Sequence, residues 1–372
     1  MRPLRGPRFW IAWTVVLGLV VIGSLWALTY PWGDAGGSGV PSASATAPSV
    51  SSSDTSSPSP TATALPGLDD SVVAAMGEGW VVTTLVDGSG AVTLAAVDPS
   101  GGLYLGPVLP AGSRLLAMLA DGRAVVLDPS DGTLRTVALA TGDAASLGAG
   151  WQDPVVAVPA GADATQILVE SGPAGSRTVD AVSTVDGTAT RLGDAADRHG
   201  LVSSADGTTA LTAIGSAPSS IVASTAGADD VSSGAPLGGS ACEPEAWDAD
   251  RQAIVVCADD QTTVWALEPT TATYASAATV PAAGGLAFAV SGSRILVAGS
   301  VYGIDGTLKW ALPEGAAKAT AGIFTGTALA LWSPGDDGTA AQVVLVRPTG
   351  RLSGVVNVPD GYSGFVQVVA AG

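Results

Sequence analysis

Short β-branched apolar runs, a recurring Asp/Pro/Gly turn and no sustained 3.6-residue apolar pattern beyond residue 67 predict an all-β fold for most of this 372-residue chain. The turns recur about every 42 residues on average, the length of a four-stranded β-propeller blade. A propeller of seven blades is expected, with six or eight as alternatives, preceded by one transmembrane helix. The chain then divides into a basic cytoplasmic stub (1–8), a transmembrane signal anchor (9–32), a disordered Ser/Thr/Pro-rich linker (33–66) and a propeller ectodomain (67–372).

The anchor is read from the stretch between Phe9 and Trp32, which carries no charge. Crossing the hydrocarbon core takes roughly 20 apolar residues. Trp10 and Trp13 stand at one end and Trp26, Tyr30 and Trp32 at the other, as in aromatic belts at two membrane interfaces. Arg2, Arg5 and Arg8 precede the run, so the positive-inside rule keeps the amino terminus in the cytoplasm and places the rest outside. A cleaved signal peptide is the competing reading. Its apolar core is shorter, about 7–15 residues, and ends in small residues, whereas this run ends in Leu25, Trp26, Leu28, Tyr30 and Trp32. The linker that follows holds only Asp34 and Asp54 as charges and cannot bury a core; as a flexible coil it spans about 30 Å.

Beyond it, strands are expected at Ala124–Leu127, Gln166–Val169, Ala253–Val256 and Arg294–Val297. They are apolar at successive positions rather than alternate ones, which predicts that both faces are covered. The turn signature appears at Asp98-Pro99-Ser100-Gly101, Asp128-Pro129-Ser130-Asp131-Gly132, Asp186-Gly187-Thr188, Glu268-Pro269-Thr270-Thr271, Asp305-Gly306-Thr307 and Arg347-Pro348-Thr349-Gly350, with a degenerate copy near Gly227–Asp230. Proline presets φ, aspartate accepts from the backbone and glycine closes the turn. The first two intervals are uneven, one short and one long. A ring must also join its first and last strands, since open edges invite aggregation. Phe365–Val369 is expected to close the ring, completing a blade begun by Ser71–Ala74.

The segment Val301-Tyr302-Gly303-Ile304-Asp305-Gly306-Thr307-Leu308-Lys309-Trp310 resembles the repeat of pyrroloquinoline-quinone-like (PQQ-like) β-propellers, and Val126–Gly132 and Ala266–Glu268 look like weaker copies. In that family an aliphatic-Asp pair ends a strand and a Trp packs between blades. The family holds quinone-dependent dehydrogenases and noncatalytic scaffolds of the bacterial cell envelope. The enzymes use acidic and amide residues around calcium and a disulfide of adjacent cysteines. Here Cys242 and Cys257 are not adjacent and Asn357 is the only asparagine, so the resemblance implies the noncatalytic, membrane-anchored branch.

Cys242 and Cys257 flank a turn at Asp248–Arg251 whose position would set them opposite each other on adjacent strands, so a disulfide is expected outside the cytoplasm. Closing that loop contributes about 3 kcal/mol in the chain-entropy model. His199 is the only histidine; it reads as a solvated loop residue and excludes a two-histidine metal site. Asp69-Asp70, Asp229-Asp230, Asp259-Asp260 and Asp336-Asp337 read as solubilising loop charge; the alternative is that they converge at one mouth of the ring and bind Ca²⁺. Trp80, Trp151, Trp247, Trp265, Trp310 and Trp332 are expected one to a blade interface. Only Lys309 and Lys318 supply lysine, neither after a glycine, so no phosphate-binding loop is present.

No catalytic, cofactor-binding or metal residues are assigned, and no cofactor is expected apart from the calcium alternative. The formal charge is −18, and without the three stub arginines 33 acids face 12 bases, or −21. That excess argues against nucleic acid, whose phosphates are held by clustered Lys and Arg. The expected function is a single-pass, extracytoplasmic propeller that binds a protein or other envelope component, cationic if charge recruits it. The alternative is an extracytoplasmic enzyme on the same scaffold, a quinone- or calcium-dependent oxidoreductase or a hydrolase.

Overall fold

The computed structural model describes residues 65–371 apart from 154, 161–163, 174, 196–197, 205, 216–219, 235–240, 248–252, 259–261, 269–270, 281–288, 292, 315, 317 and 336. The expected stub, the anchor and the linker up to 64 lie outside these residues. Among those described, no helix is long and apolar enough to cross a membrane.

Antiparallel four-stranded meanders follow one another along the chain. The first three strands are β1 (Val81–Asp87), β2 (Val92–Val97) and β3 (Leu103–Leu109). One sheet follows in β4 (Arg114–Met118), β5 (Arg123–Asp128), β6 (Thr133–Ala138) and β7 (Ala144–Gly148). The next comprises β8 (Val155–Ala160), β9 (Gln166–Ser171), β10 (Arg177–Ser183) and β11 (Ala189–Ala195). A third holds β12 (Arg198–Ser203), β13 (Thr209–Ile214), β14 (Ser220–Thr225) and β15 (Val231–Ser233). Then come β16 (Ala241–Trp247), β17 (Ala253–Ala258), β18 (Thr262–Glu268) and β19 (Thr273–Val280). The fifth has β20 (Ala289–Val290), β21 (Arg294–Val297), β22 (Ser300–Gly303) and β23 (Leu308–Ala311). Last are β24 (Ala321–Thr325), β25 (Ala328–Pro334), β26 (Ala340–Val346), β27 (Leu352–Asn357) and β28 (Tyr362–Ala370).

The final strand returns to the first. β28 pairs antiparallel with β1, from Val81 opposite Ala370 to Asp87 opposite Tyr362, so one sheet reads β28-β1-β2-β3. A single pair, Ala340 with Phe365, joins it to β24–β27 in one eight-stranded sheet. The first strands of successive sheets are neighbours: β28 with β4, β4 with β8, β8 with β12, β12 with β16, β20 with β24, and β24 with β28. This is a β-propeller, with first strands innermost and fourth strands outside.

Burial follows that order. The four runs singled out in the sequence fall in β5, β9, β17 and β21, all second strands; from Ala124 to Leu127 and from Ala253 to Val256 every residue is buried. Fourth strands are solvated; Leu308 and Val355 face water on β23 and β27. Seven apolar clusters among the described residues each bridge two successive sheets; one, for example, joins Leu127 and Val125 of β5 to Ile167 and Val169 of β9.

One sequence expectation at the amino-terminal end is corrected. Phe365–Val369 does lie in the closing strand, but its partner is Val81–Asp87 rather than Ser71–Ala74. The latter lies in a short helix, α1 (Asp70–Ala75), because Asp69 caps it, accepting from the N–H groups of Ser71 and Val72 at 2.9 Å. Pro66, the last residue of the expected linker, accepts from the Leu105 N–H, and Leu68 donates to the Leu105 carbonyl, along the outer edge of β3.

The turn repeat has one phase, visible only in three dimensions. Asp98, Asp186, Gly227, Glu268, Asp305 and Arg347 all begin or sit in the turn between third and fourth strands. Asp128 does not; it lies between second and third strands, β5 and β6. The in-phase turn of that sheet is Ala140-Thr141-Gly142-Asp143, which lacks the proline. With it restored, successive turns stand about 37–45 residues apart, the regular spacing of blade repeats. Their glycines share a physical reason. A Cβ on Gly142 would lie 3.1 Å from Pro107, on Gly187 3.2 Å from Leu147, on Gly306 3.0 Å from Ala278 and on Gly350 3.0 Å from Trp310. Each neighbour sits on the fourth strand of the preceding sheet, so the turn is also the clasp between blades.

Candidate functional site

Alternating strand direction puts the first-to-second and third-to-fourth turns of every sheet on one end of the ring, and the second-to-third turns on the other. The carboxylates of these turns are engaged locally. Asp305 Oδ1 accepts from the Thr307 N–H at 3.0 Å and its hydroxyl at 2.6 Å, and these donors hold the Asp305 carboxyl below the usual range. Asp98, Asp128 and Asp337 accept in the same way from Ser100, Ser130 and Thr339. They are turn-building groups.

The acidic pairs do not converge at one mouth. Asp69 caps α1. Asp230 lies between β14 and β15, on the third-to-fourth end, and is paired with Arg198 at 3.0 Å. Asp337 lies between β25 and β26, on the opposite end. Asp259, Asp260 and Asp336 lie outside the described residues. Among the described residues no three His, Cys, Asp or Glu side chains are grouped to hold a metal.

Cys242 and Cys257 are cross-strand partners in β16 and β17 and form the disulfide, both sulfurs buried; the turn at 248–251 lies outside the described residues. His199 is on β12, opposite Ala213, rather than in a loop, because pairing with β13 continues through it from Arg198. The six tryptophans occupy five interfaces rather than one each. Trp80, Trp151, Trp310 and Trp332 enter four separate clusters, while Trp247 and Trp265 share the one between β12–β15 and β16–β19. The cluster between β8–β11 and β12–β15 contains none.

That interface holds a feature the sequence did not reveal. Arg198 is 1% exposed and donates to the Thr212 hydroxyl at 3.2 Å, the Ser224 hydroxyl at 3.0 Å and Asp230. A Cβ on Gly193 would lie 2.8 Å from its guanidinium, so glycine makes the slot. Arg177 bridges Glu170 at 2.9 Å and donates to the Arg198 carbonyl. A buried cation is tolerated only where it is paired and hydrogen-bonded, as the Arg198 terminal nitrogens are here. On the inner strand β16, Glu245 is partly buried; burial, with Glu243 beside it, pushes its pKa up to about 7.

One cleft opens on the third-to-fourth end, where the closing sheet meets β24–β27. It has a volume of about 380 Å³ and runs between the Pro99–Ser100 turn and Leu345–Pro348, with Glu78 and Gly79 at its side. Glu78 Oε1 accepts from the Thr327 N–H at 2.8 Å and from its hydroxyl. Those bonds, and then the charge of Arg294, keep Glu78 ionised below the usual carboxylate range. Arg347 lines the same cleft.

No protein-family profile and no curated relative matches the sequence. Solved structures do share its fold. An acylaminoacyl peptidase of Pyrococcus horikoshii aligns with a TM-score of 0.53 at 8% identity, over 76% of this chain and 51% of its own. A puromycin-hydrolyzing peptidase of Mycobacterium tuberculosis gives 0.51 at 16% identity, over 75% and 52%. One of two prolyl endopeptidases analysed together gives 0.52 at 14%, over 75% and 48%. The chain spans about half the length of these proteins, and what it has in common with them is the fold.

Proposed function

We propose that this chain is a membrane-anchored, extracytoplasmic propeller of seven blades that binds a protein of the cell envelope. The eight-stranded sheet counts as two blades, β24–β27 and β28-β1-β2-β3, beside the five separate sheets. The PQQ-like motif around Trp310 suits the noncatalytic branch of that family, and the uncharged run before residue 33 suits a retained anchor with the propeller outside.

The observation that carries the reading is the disposition of charge on the third-to-fourth end. Asp98 and Asp305 there are held within their own turns, whereas Glu78 is held by Thr327 of another sheet at an open cleft that Arg347 also lines. A fixed anion beside apolar walls is suited to a basic side chain of a partner, and the overall charge attracts cationic surfaces. The test places a photocrosslinking residue at Pro348, in the cleft, and at Val108, on the outer strand β3, in the full chain in its native membrane. A partner crosslinked from Pro348, absent from Val108 and lost on Glu78→Gln, is expected. Equal or absent crosslinking at both positions would overturn the reading.

A further inference from the structure

A second cleft, of about 340 Å³, opens where the β7–β8 connection lies against β9–β11, within the size range of small-ligand sites. It is lined by Trp151, Gln152, Ser171, Thr178, Asp180 and Arg191 among others. The arrangement is held from both sides before any ligand arrives. On the β7–β8 connection, the Trp151 N–H donates to the Gly132 carbonyl at 3.0 Å, and the Gln152 carbonyl accepts from Gly172 at 2.8 Å. A Cβ on Gly132 would lie 2.5 Å from the Trp151 carbonyl oxygen, so the turn before β6 is shaped to receive this loop. Trp151 Nε1 is buried without a partner, its edge beside Gly148. The indole packs against the apolar cluster of β4–β7 and β8–β11, and the part left uncovered lies at the cleft.

Opposite stand cross-strand partners on β10 and β11. Arg191 Nε donates to Asp180 Oδ1 at 2.7 Å, and the Thr178 hydroxyl donates to Asp180 Oδ2 at 3.1 Å. The Asp180 side chain is 7% exposed and that of Arg191 51%. A carboxylate already neutralised by a guanidinium sets up little net field, so this wall does not select an ion. It presents a charge-strengthened acceptor and a fork of donors at fixed positions.

We propose that this cleft is a saccharide-binding site. A pyranose has a flat C–H face that packs on an indole and an edge of hydroxyls that both donate and accept. Asp180, Arg191, Gln152, Ser171 and Thr178 meet the hydroxyls while Trp151 meets the ring. Because the frame is preformed, little ordering cost opposes binding. The inference does not depend on the protein partner proposed above, whose cleft is separate.

The test uses the full chain in a detergent without a sugar headgroup, titrated with chitotriose, maltotriose and cellotriose, with glycerol as control. Tryptophan fluorescence and saturation-transfer NMR report binding. Saturable binding of at least one trisaccharide is expected, weakened at least tenfold by Trp151→Ala and by the near-isosteric Asp180→Asn. Trp310→Phe, at another interface, should bind as the parent does. No saturable binding of any of the three, or binding that either Trp151→Ala or Asp180→Asn leaves unchanged, overturns the proposal.

Discussion

If the glycine of the third-to-fourth turn is the clasp between blades, filling it should cost more than its backbone conformation alone explains. Gly350 has φ +79°, and a Cβ there would meet three atoms of Trp310 at 3.0–3.1 Å. Gly227 occupies the same turn of another sheet with φ +74°, yet nothing lies within 4 Å of its Cβ position. Alanine at Gly227 should therefore show only the left-handed penalty, about 1–2 kcal/mol. At Gly350 the same penalty is joined by overpacking against an indole held between two sheets, about 1–3 kcal/mol more. Gly350→Ala should fall to a clearly lower urea midpoint than Gly227→Ala, with the m-value unchanged. Trp310→Ala in the Gly350→Ala background should relieve the excess, since the clash is with that ring. Equal destabilisation by the two alanines would refute the clasp and leave the glycines as turn-formers only.

Glu245 supplies a prediction with a definite sign. Its folded pKa of about 7 lies above the ordinary glutamate value of 4.5, so the folded state holds a proton that the unfolded state releases. Stability from this group should fall as pH rises from about 4.5 to 7 and stay level above, by about 3 kcal/mol in all. Glu245→Gln should flatten that part of the pH profile, and an unchanged slope would count against the burial of the carboxyl. Removal of Arg198 by alanine should cost about 2–4 kcal/mol, because the buried Thr212 and Ser224 hydroxyls lose their donor and a buried side chain leaves a cavity, while the half-exposed Asp230 is left to water. Arg114→Ala, which breaks the half-exposed pair with Asp153, should cost under about 1 kcal/mol; chemical denaturation of both variants checks the contrast.

Second strands were legible in the sequence because sandwiched strands are apolar at every position, and Ala124–Leu127 or Ala253–Val256 could be nothing else. The disulfide was legible for a similar reason, since a hairpin makes cross-strand distance a matter of counting. The repeat was legible but out of phase in one sheet. Asp128-Pro129-Ser130 has better turn chemistry than Thr141-Gly142-Asp143, and only the docking of Gly142 on Pro107 shows which turn belongs to the series. Ser71–Ala74 misled because four residues carry no period, whereas the Asp69 cap decides their conformation. Both clefts and the Arg198 network escaped notice because they join residues far apart in the sequence. Arg198 meets partners 14, 26 and 32 residues away, on the strands and turn that follow in its own sheet, and Asp180 shares its cleft with Trp151 of the β7–β8 connection. A lone arginine beside a histidine gives no local signal of burial. A cross-strand Asp and Arg, eleven residues apart around an Asp-Gly turn, was the one cue available.

The return of β28 to β1 also has a consequence in time. β1 emerges from the ribosome well before the strand that covers its inner edge, and almost the whole chain must follow before the two can meet. Until then the ring is an open arc, with Val81, Leu85 and their neighbours paired to β2 on one edge only. The ring cannot take its final shape before Tyr362–Ala370 has been made, so its closure waits on the arrival of a single late strand.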